Sequence, residues 1–179
     1  EHDTTQSGGT TVPPLPENEY LVKSSLAAAR AGRSRREILP LRVLDPACGT
    51  GSVLLAAYQE LLDHYPGGVP DPDGRRDILT NSLYGLDINR HAVAITRLLL
   101  CIRLAETMKP EQVPGDFFEF SEAVLRDLRH TIRCGNALIG PEIVHDESWM
   151  FCPARDRHAL RPFSWRNGFP EIFAAGGFD

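Results

Sequence analysis

The stretch Leu44-Asp45-Pro46-Ala47-Cys48-Gly49-Thr50-Gly51-Ser52 decides the fold. It follows a short apolar run at residues 41–44 and leads into an amphipathic stretch, Val53 to Tyr65. The sequence therefore predicts a strand, a tight glycine turn and a helix. Glycines in such a turn let a ligand approach the backbone closely, and Asp45 places a carboxylate at the tip of the strand. The stretch predicts a ligand site between a strand and a helix.

Two further strands with polar residues near their ends follow along the chain. Leu83 to Ile88 is the second strand, with Asp87 near its tip, and residues 131–136 form a third that ends in Asn136. Between them, apolar residues recur at three- and four-residue spacing from Ala92 to Leu104, which predicts a helix buried in the core. Successive β–α units predict an α/β fold with a parallel sheet and helices on both faces. Ligands bind such sheets at the carboxyl ends of the strands, where all three polar positions fall.

Composition and charge limit the class of protein. The 179 residues are 42% hydrophobic and 24% charged, and the net charge is −5, which fits one domain with a sizeable core. No apolar run approaches the roughly 18 residues of a membrane span, so we expect no membrane contact, and four cysteines expected to be reduced fit a cytoplasmic protein. The four cysteines lack metal-ligand spacing, and no metal site is expected. Because the net charge is negative, we expect any nucleic acid to be held mainly by regions outside this chain.

Local signals are weaker elsewhere. Asn18 is expected to cap a helix that stops at Gly32. The Pro-, Gly- and Asp-rich residues 66–77 indicate a surface insertion, and residues 140–166 indicate irregular structure. Phe178-Asp179 is typical of the start of a fourth strand.

Three ligands compete for the glycine turn. A phosphate-binding NTPase loop requires a Lys-Ser/Thr pair after its last glycine, whereas Ser52-Val53 follows Gly51, so this class is disfavoured. A dinucleotide fold requires G-x-G-x-x-G, and Leu54 stands where the third glycine belongs. S-adenosylmethionine carries no phosphate, and its positive ammonium and sulfonium favour a nearby acid such as Asp45. The turn therefore favours S-adenosylmethionine.

The polar residues of the other two strands suit the same ligand. The ribose of S-adenosylmethionine has two hydroxyl donors, and the carboxylate of Asp87 can accept both. Ile88 can pack on the face of the adenine, and the amide of Asn136 can read an edge of that ring. These expectations assign one strand end to each part of the ligand.

The same residues resemble a known family. The stretch 45–52 resembles the first motif of amino-methylating DNA methyltransferases, and is closest to the N6-adenine methylases of restriction–modification and phage-defence systems. Residues 84–89 and 134–139 resemble the second and third motifs, and residues 165–179 resemble the segment that precedes the catalytic motif. The resemblance implies a class I S-adenosylmethionine-dependent methyltransferase fold, Rossmann-like and incomplete here. It also implies a set of cofactor-binding residues: Asp45, Pro46, Ala47, Cys48, Gly49, Gly51, Asp87, Ile88, Asn136 and Ala137.

The resemblance divides the chain into an N-terminal lead and helix, residues 1–40, and a cofactor-binding part, residues 41–179. The family's catalytic motif, Asn or Asp followed by Pro-Pro and an aromatic residue, does not occur in the 179 residues, so no catalytic residue is assigned. The resemblance implies the cofactor-binding segment of a site-specific methyltransferase acting on adenine N6 in double-stranded DNA, a segment inactive by itself. Two alternatives stay open: an rRNA-base or protein-glutamine methyltransferase, and a non-catalytic binding module with this fold.

Overall fold

A computed structural model describes residues 15–32, 41–109, 112 and 115–179 of the chain. Within them, three strands form one parallel sheet in the order β1 (Val43–Asp45), β2 (Leu83–Asp87) and β3 (Ile132–Cys134). Val43 pairs with Leu83, and Asp87 pairs with Cys134. The carboxyl ends of the three strands therefore lie at one edge of the sheet, as the sequence predicts.

Helices precede, connect and follow the strands. The longer ones are α1 (Leu15–Arg30), α2 (Ser52–Asp63), α3 (Pro72–Asn81), α4 (Arg90–Glu106) and α5 (Phe117–Thr131). After β3 come a 3₁₀ helix (Pro141–His145) and four short helices, α6 (Glu147–Phe151), α7 (Ala154–Leu160), α8 (Trp165–Gly168) and α9 (Pro170–Ala174). Among the described helices, none combines the length and the apolar character that crossing a bilayer requires.

Alternation of side chains along β2 divides the core into two halves. Leu83 packs with residues of α1 to α5, and Gly85 lies against the side chain of Leu54 in α2. Tyr84 and Leu86 point to the opposite face, because successive side chains of a strand alternate. There they pack with residues of the segment that carries α8 and α9, namely Phe163, Phe169 and Ile172. Helices therefore cover both faces of the sheet.

Helix α1 belongs to the same core as the strands. Val22 and Leu26 are buried among the residues that α2 contributes. At the end of α1, the Arg30 guanidinium donates to the Glu60 carboxylate at 2.9 Å, and both side chains are largely buried. Burial and a paired charge together fix α1 on α2.

The expectation that the whole apolar pattern of α4 is buried is wrong for one face of this helix. Leu100 and Leu104 are fully buried, whereas Ile95, Leu98 and Ile102 are 44%, 50% and 42% exposed. A helix on the surface of a domain buries an apolar stripe of about 100°. The apolar residues of α4 extend beyond the stripe that the sheet, α2 and α5 cover.

Several element ends also differ from the expectations. Helix α1 begins at Leu15, so Asn18 is a buried residue within the helix and not its cap. Gly32, with φ of +80°, follows the last turn as expected. Part of the expected insertion is helical: α3 begins at Pro72, and its cap Asp71 accepts a hydrogen bond from the Gly74 N–H at 2.8 Å. The parts of the N-terminal lead at residues 1–14 and 33–40 lie outside the described residues.

We expect two substitutions in α4 to separate its faces. Leu98→Gln should change the free energy of unfolding by less than about 0.5 kcal/mol, because this side chain is half exposed. Leu100→Ala should lower it by about 2–5 kcal/mol, since a fully buried side chain leaves a cavity. Urea denaturation of both variants measures the difference. A large loss with Leu98→Gln would show that the outer face of α4 is covered in solution.

Candidate functional site

The glycine turn between β1 and α2 lies against the end of β2. The Cys48 N–H donates to the Leu86 carbonyl at 3.0 Å, and the Gly51 N–H donates to the Cys48 carbonyl at 2.8 Å. Gly49 and Gly51 have φ values of +52° and +88°. Glycine adopts this left-handed region without the steric cost that a Cβ brings. The turn is therefore a tight, internally bonded structure.

Asp87 joins this turn to the end of β2. Its Oδ2 accepts a hydrogen bond from the Gly49 N–H at 2.9 Å, and its Oδ1 accepts one from the Asn89 N–H at 2.7 Å. The side chain is half-buried. A carboxylate offers about four lone-pair sites, two on each oxygen. Asp87 can hold the turn and still accept hydrogen bonds from a ligand.

A pocket of about 490 Å³ opens at this edge of the sheet. Asp87 lies in its wall, and most of the remaining lining is apolar. Such a volume is within the range of small-molecule sites. Six of the ten predicted site residues line it: Pro46, Ala47, Asp87, Ile88, Asn136 and Ala137, joined by Gly135, Leu138 and Trp165. The fold thus gathers the ends of all three strands around one cleft.

The other four predicted residues do not line this pocket. The side chain of Cys48 is buried, and burial raises the pKa of its thiol to about 12. Gly51 is buried against Thr96 of α4, and Gly49 is bonded to the protein through both its N–H and its carbonyl. Asp45 lines a neighbouring pocket of about 320 Å³ between α1 and β1. Three of these four therefore form the frame of the turn.

Asn136 organises the loop that follows β3. Its Oδ1 accepts hydrogen bonds from the N–H groups of Leu138 and Ile139, at 2.9 and 3.2 Å. The side-chain oxygen is therefore engaged within the loop, and the amide nitrogen is the group that can donate to a ligand. Reading of an adenine edge by Asn136 would rest on this donor.

Arg161 ties the ends of β2 and β3 together. Its guanidinium donates to the Ile88 carbonyl at 2.9 Å, and its own carbonyl accepts the Asn136 N–H at 2.8 Å. The residue has φ of +44°, an uncommon conformation for a side chain with a Cβ. One residue therefore fixes two sides of the pocket, and sequence reasoning did not single it out.

Trp165 lines the pocket itself and is another residue that sequence reasoning did not assign to the site. Its indole N–H donates to the Ala137 carbonyl at 3.1 Å, and its ring meets that of Phe163 edge to face, with 5.4 Å between centroids. These contacts hold a flat aromatic surface in the pocket wall. The aromatic residues between positions 163 and 178 indicated a packed segment, but a contact between Trp165 and Ala137, 28 positions apart, cannot be predicted from a local pattern.

Two acids, Asp45 and Asp87, end β1 and β2 at this edge of the sheet. Burial raises the pKa of Asp45, the hydrogen bond from the Ala47 N–H lowers it, and the nearby Asp87 carboxylate raises it. Two carboxylates at one edge favour a cation between or beside them. Within the described residues, no group of three or more potential metal ligands lies together.

The sequence model of one protein family matches residues 24–143; this family is described as MmeI, DNA-methyltransferase domain. The match covers more than half of the chain, including the glycine turn, Asp87 and Asn136. The chain belongs to this DNA-methyltransferase family. The pocket at the strand ends thus lies largely within the family's methyltransferase domain.

Curated relatives carry related descriptions. A putative type II restriction enzyme and methyltransferase of Methanocaldococcus jannaschii is 31% identical over 133 residues, 70% of this chain and 10% of that protein. The type II restriction enzyme and methyltransferase BcgI of Heyndrickxia coagulans is 43% identical over 60 residues, 32% of this chain and 9% of that protein. The adenine-specific methyltransferase PglX of Lacticaseibacillus casei is 30% identical over 83 residues, 46% of this chain and 7% of that protein.

The chain therefore spans a tenth or less of the length of these relatives. No solved structure matches it.

Alanine at the two glycines of the turn should have unequal costs. Gly49→Ala places its Cβ in open space, so only the left-handed backbone opposes it, at about 1–2 kcal/mol. Gly51→Ala adds a contact of 2.7 Å with Thr96 Cγ2, and overpacking of this kind costs a further ~1–3 kcal/mol. Denaturation of the two variants measures the gap. Equal stabilities would contradict the close packing of Gly51 on α4.

Removal of the Asp45 charge should stabilise the ligand-free protein. Because the folded-state pKa of Asp45 is raised, the ionised carboxylate opposes folding, and this penalty appears as pH rises through the folded pKa. Asp45→Asn should therefore raise the melting temperature at pH 8 by up to about 2 °C, with a smaller gain at pH 4. The exposed Asp73→Asn is the control. A lower melting temperature for Asp45→Asn at pH 8 would contradict this assignment.

Proposed function

We propose that this chain is the S-adenosylmethionine-binding part of a site-specific, adenine-specific DNA methyltransferase with a class I, Rossmann-like fold. The observation that carries the proposal is the pocket in which Asp87 stands among largely apolar residues from three parallel strand ends. A nucleoside has the matching character, because its base is flat and apolar on both faces and its ribose donates hydrogen bonds.

The pocket offers a partner for each part of an adenosine. Asp87 would accept the ribose hydroxyls, and charge-assisted hydrogen bonds of this kind contribute about 1.5–3 kcal/mol. Ile88, which is 45% exposed at the pocket, and the ring of Trp165 would contact the faces of the adenine. The Asn136 amide nitrogen would donate to an acceptor on the ring edge. The residues present therefore fit the cofactor.

The cationic end of the cofactor would extend towards Asp45. Pro46 lines both the pocket at Asp87 and the pocket at Asp45, so the two cavities are neighbours. A cation beside Asp45 would lower the raised pKa of this carboxyl, since an opposite charge favours its ionised form. In the free protein the ionised Asp45 carboxylate is destabilising. A bound cation would offset this destabilisation, which favours binding of a positively charged ligand.

Transfer of the methyl group requires residues that hold the acceptor base, in addition to the cofactor-binding residues described above. Bound S-adenosylmethionine supplies a methyl group on a positively charged sulfur. The acceptor would be the N6 amino group of an adenine flipped out of double-stranded DNA. The chain contains no Asn- or Asp-Pro-Pro-aromatic motif to hold such a base. Its own residues bind and orient the cofactor, and DNA would be held mainly by other regions.

The descriptions of the relatives favour the DNA acceptor over the alternatives. Two curated relatives are described as restriction enzyme and methyltransferase, and the third as an adenine-specific methyltransferase. None of the three descriptions names rRNA or a protein side chain. A role in restriction–modification or phage defence, and a cytoplasmic location, are part of this proposal.

Binding of S-adenosylhomocysteine tests the cofactor site. We expect weak binding by the chain and an affinity at least about tenfold lower for Asp87→Asn, which loses a charged acceptor. Titration calorimetry measures both, and Asp73→Asn, with the same change of charge at an exposed position, should bind like the unaltered chain. In a Trp149→Phe background the fluorescence of Trp165 should change on binding. Absence of binding at millimolar ligand would contradict the proposal.

A methylation assay on DNA of mixed sequence separates cofactor binding from catalysis. The chain alone should transfer no methyl group from S-adenosylmethionine, because it lacks the catalytic motif. Methyl transfer by the 179 residues would show that acceptor-activating groups are present in this chain and would contradict the division of roles proposed here.

A further inference from the structure

Thr96 is a polar residue in the buried face of α4. Its exposed fraction is 0%, and its neighbours one turn away on this face are Ala92 and Leu100. A buried hydroxyl needs a hydrogen-bond partner, because burial removes it from water. Two carbonyl oxygens are within reach of Oγ1: that of Gly49 in the glycine turn, at 2.8 Å, and that of Ala92 in the same helix, at 3.0 Å.

The bond to Gly49 connects α4 to the turn across 47 positions of the sequence. A hydroxyl has one hydrogen to donate. The Ala92 carbonyl already lies in the α-helix, where the N–H four residues later is its regular donor. The Gly49 carbonyl lies in a turn outside any helix or strand, so the Thr96 hydroxyl contributes more to the turn than to its own helix.

The methyl group of Thr96 contacts the second glycine of the turn. A Cβ at Gly51 would lie 2.7 Å from the Thr96 Cγ2 atom. One side chain therefore meets both glycines, with its hydroxyl on Gly49 and its methyl against Gly51. The two contacts fix the position of the turn relative to α4.

Gly49 is held from two sides as a result. Its N–H donates to Asp87 Oδ2 and its carbonyl accepts from Thr96 Oγ1. Loss of the Thr96 bond would leave the Gly49 carbonyl with only a long contact from the Cys48 Sγ atom, at 4.0 Å, and the N–H that engages Asp87 belongs to the same residue. The conformation of the turn and the orientation of the Asp87 carboxylate are thus coupled through Gly49.

We propose that Thr96 is a positioning residue for the cofactor site. It holds the glycine turn, and through Gly49 the Asp87 carboxylate, in the arrangement that binds ligand, so that less order has to be gained on binding. The inference rests on the proposed function for its ligand, but the order of the turn can be measured without any ligand.

Two substitutions separate the hydroxyl from the methyl group. Thr96→Val keeps the shape of the side chain and removes the hydroxyl, and Thr96→Ser keeps the hydroxyl and removes the methyl. In the ligand-free chain, we expect hydrogen exchange at the amides of Gly49 and Gly51 to accelerate about 5- to 10-fold in Thr96→Val. In Thr96→Ser it should stay within about threefold of the unaltered chain.

Amides of α5 serve as the internal control. The Thr96 hydroxyl bonds to Gly49 and Ala92 and not to α5, so faster exchange in α5 reports a loss of global stability. If Thr96→Val accelerates exchange in α5 as much as in the turn, or leaves the turn unchanged, the proposal is overturned. Local acceleration in the turn with recovery in Thr96→Ser supports it.

Calorimetry with S-adenosylhomocysteine then tests the consequence for binding. We expect the affinity of Thr96→Val to be about 5- to 10-fold lower and that of Thr96→Ser to be close to that of the unaltered chain. Unchanged affinity in Thr96→Val, despite a loosened turn, would overturn the positioning role. If the unaltered chain takes up no ligand, the proposed function fails, and the exchange data still decide whether Thr96 orders the turn.

Discussion

The carboxylate of Asp87 connects the parts of this structure on which the site depends. It closes the end of β2 through the Asn89 N–H and holds the glycine turn through the Gly49 N–H. Because charge-assisted hydrogen bonds are stronger than neutral ones, a single side chain can keep the turn against the sheet. The same group faces the pocket, so the geometry of the frame and the chemistry offered to a ligand are coupled.

The two halves of the core have different roles around that carboxylate. The larger half lies between the sheet and α1 to α5 and packs α4 against the turn, where Thr96 contacts Gly51. The smaller half consists mainly of aromatic residues after β3, and it places Trp165 in the pocket wall through an edge-to-face contact with Phe163. Substitutions of core residues in either half should therefore change the geometry of the site, even where the substituted side chain does not contact a ligand.

Much of this arrangement was accessible to sequence reasoning because it rests on local patterns. An apolar run, a glycine turn and an amphipathic helix predicted β1, the turn and α2, and a polar residue at each strand end predicted the edge at which a pocket opens. The exposed face of α4, with Ile95 and Leu98, escaped prediction because periodicity tells which residues share a face and not how many neighbours cover it.

The sequence by itself determined the parallel α/β plan and the meeting of Asp87 with the ends of β1 and β3, since parallel strands bring their carboxyl ends to one edge. Only the tertiary structure decided which side chains hold that edge together. Thr96, Arg161 and Trp165 contact Gly49, Ile88 and Ala137 over separations of 28 to 73 positions. Such contacts arise from the packing of whole elements, and no local pattern in the chain encodes them.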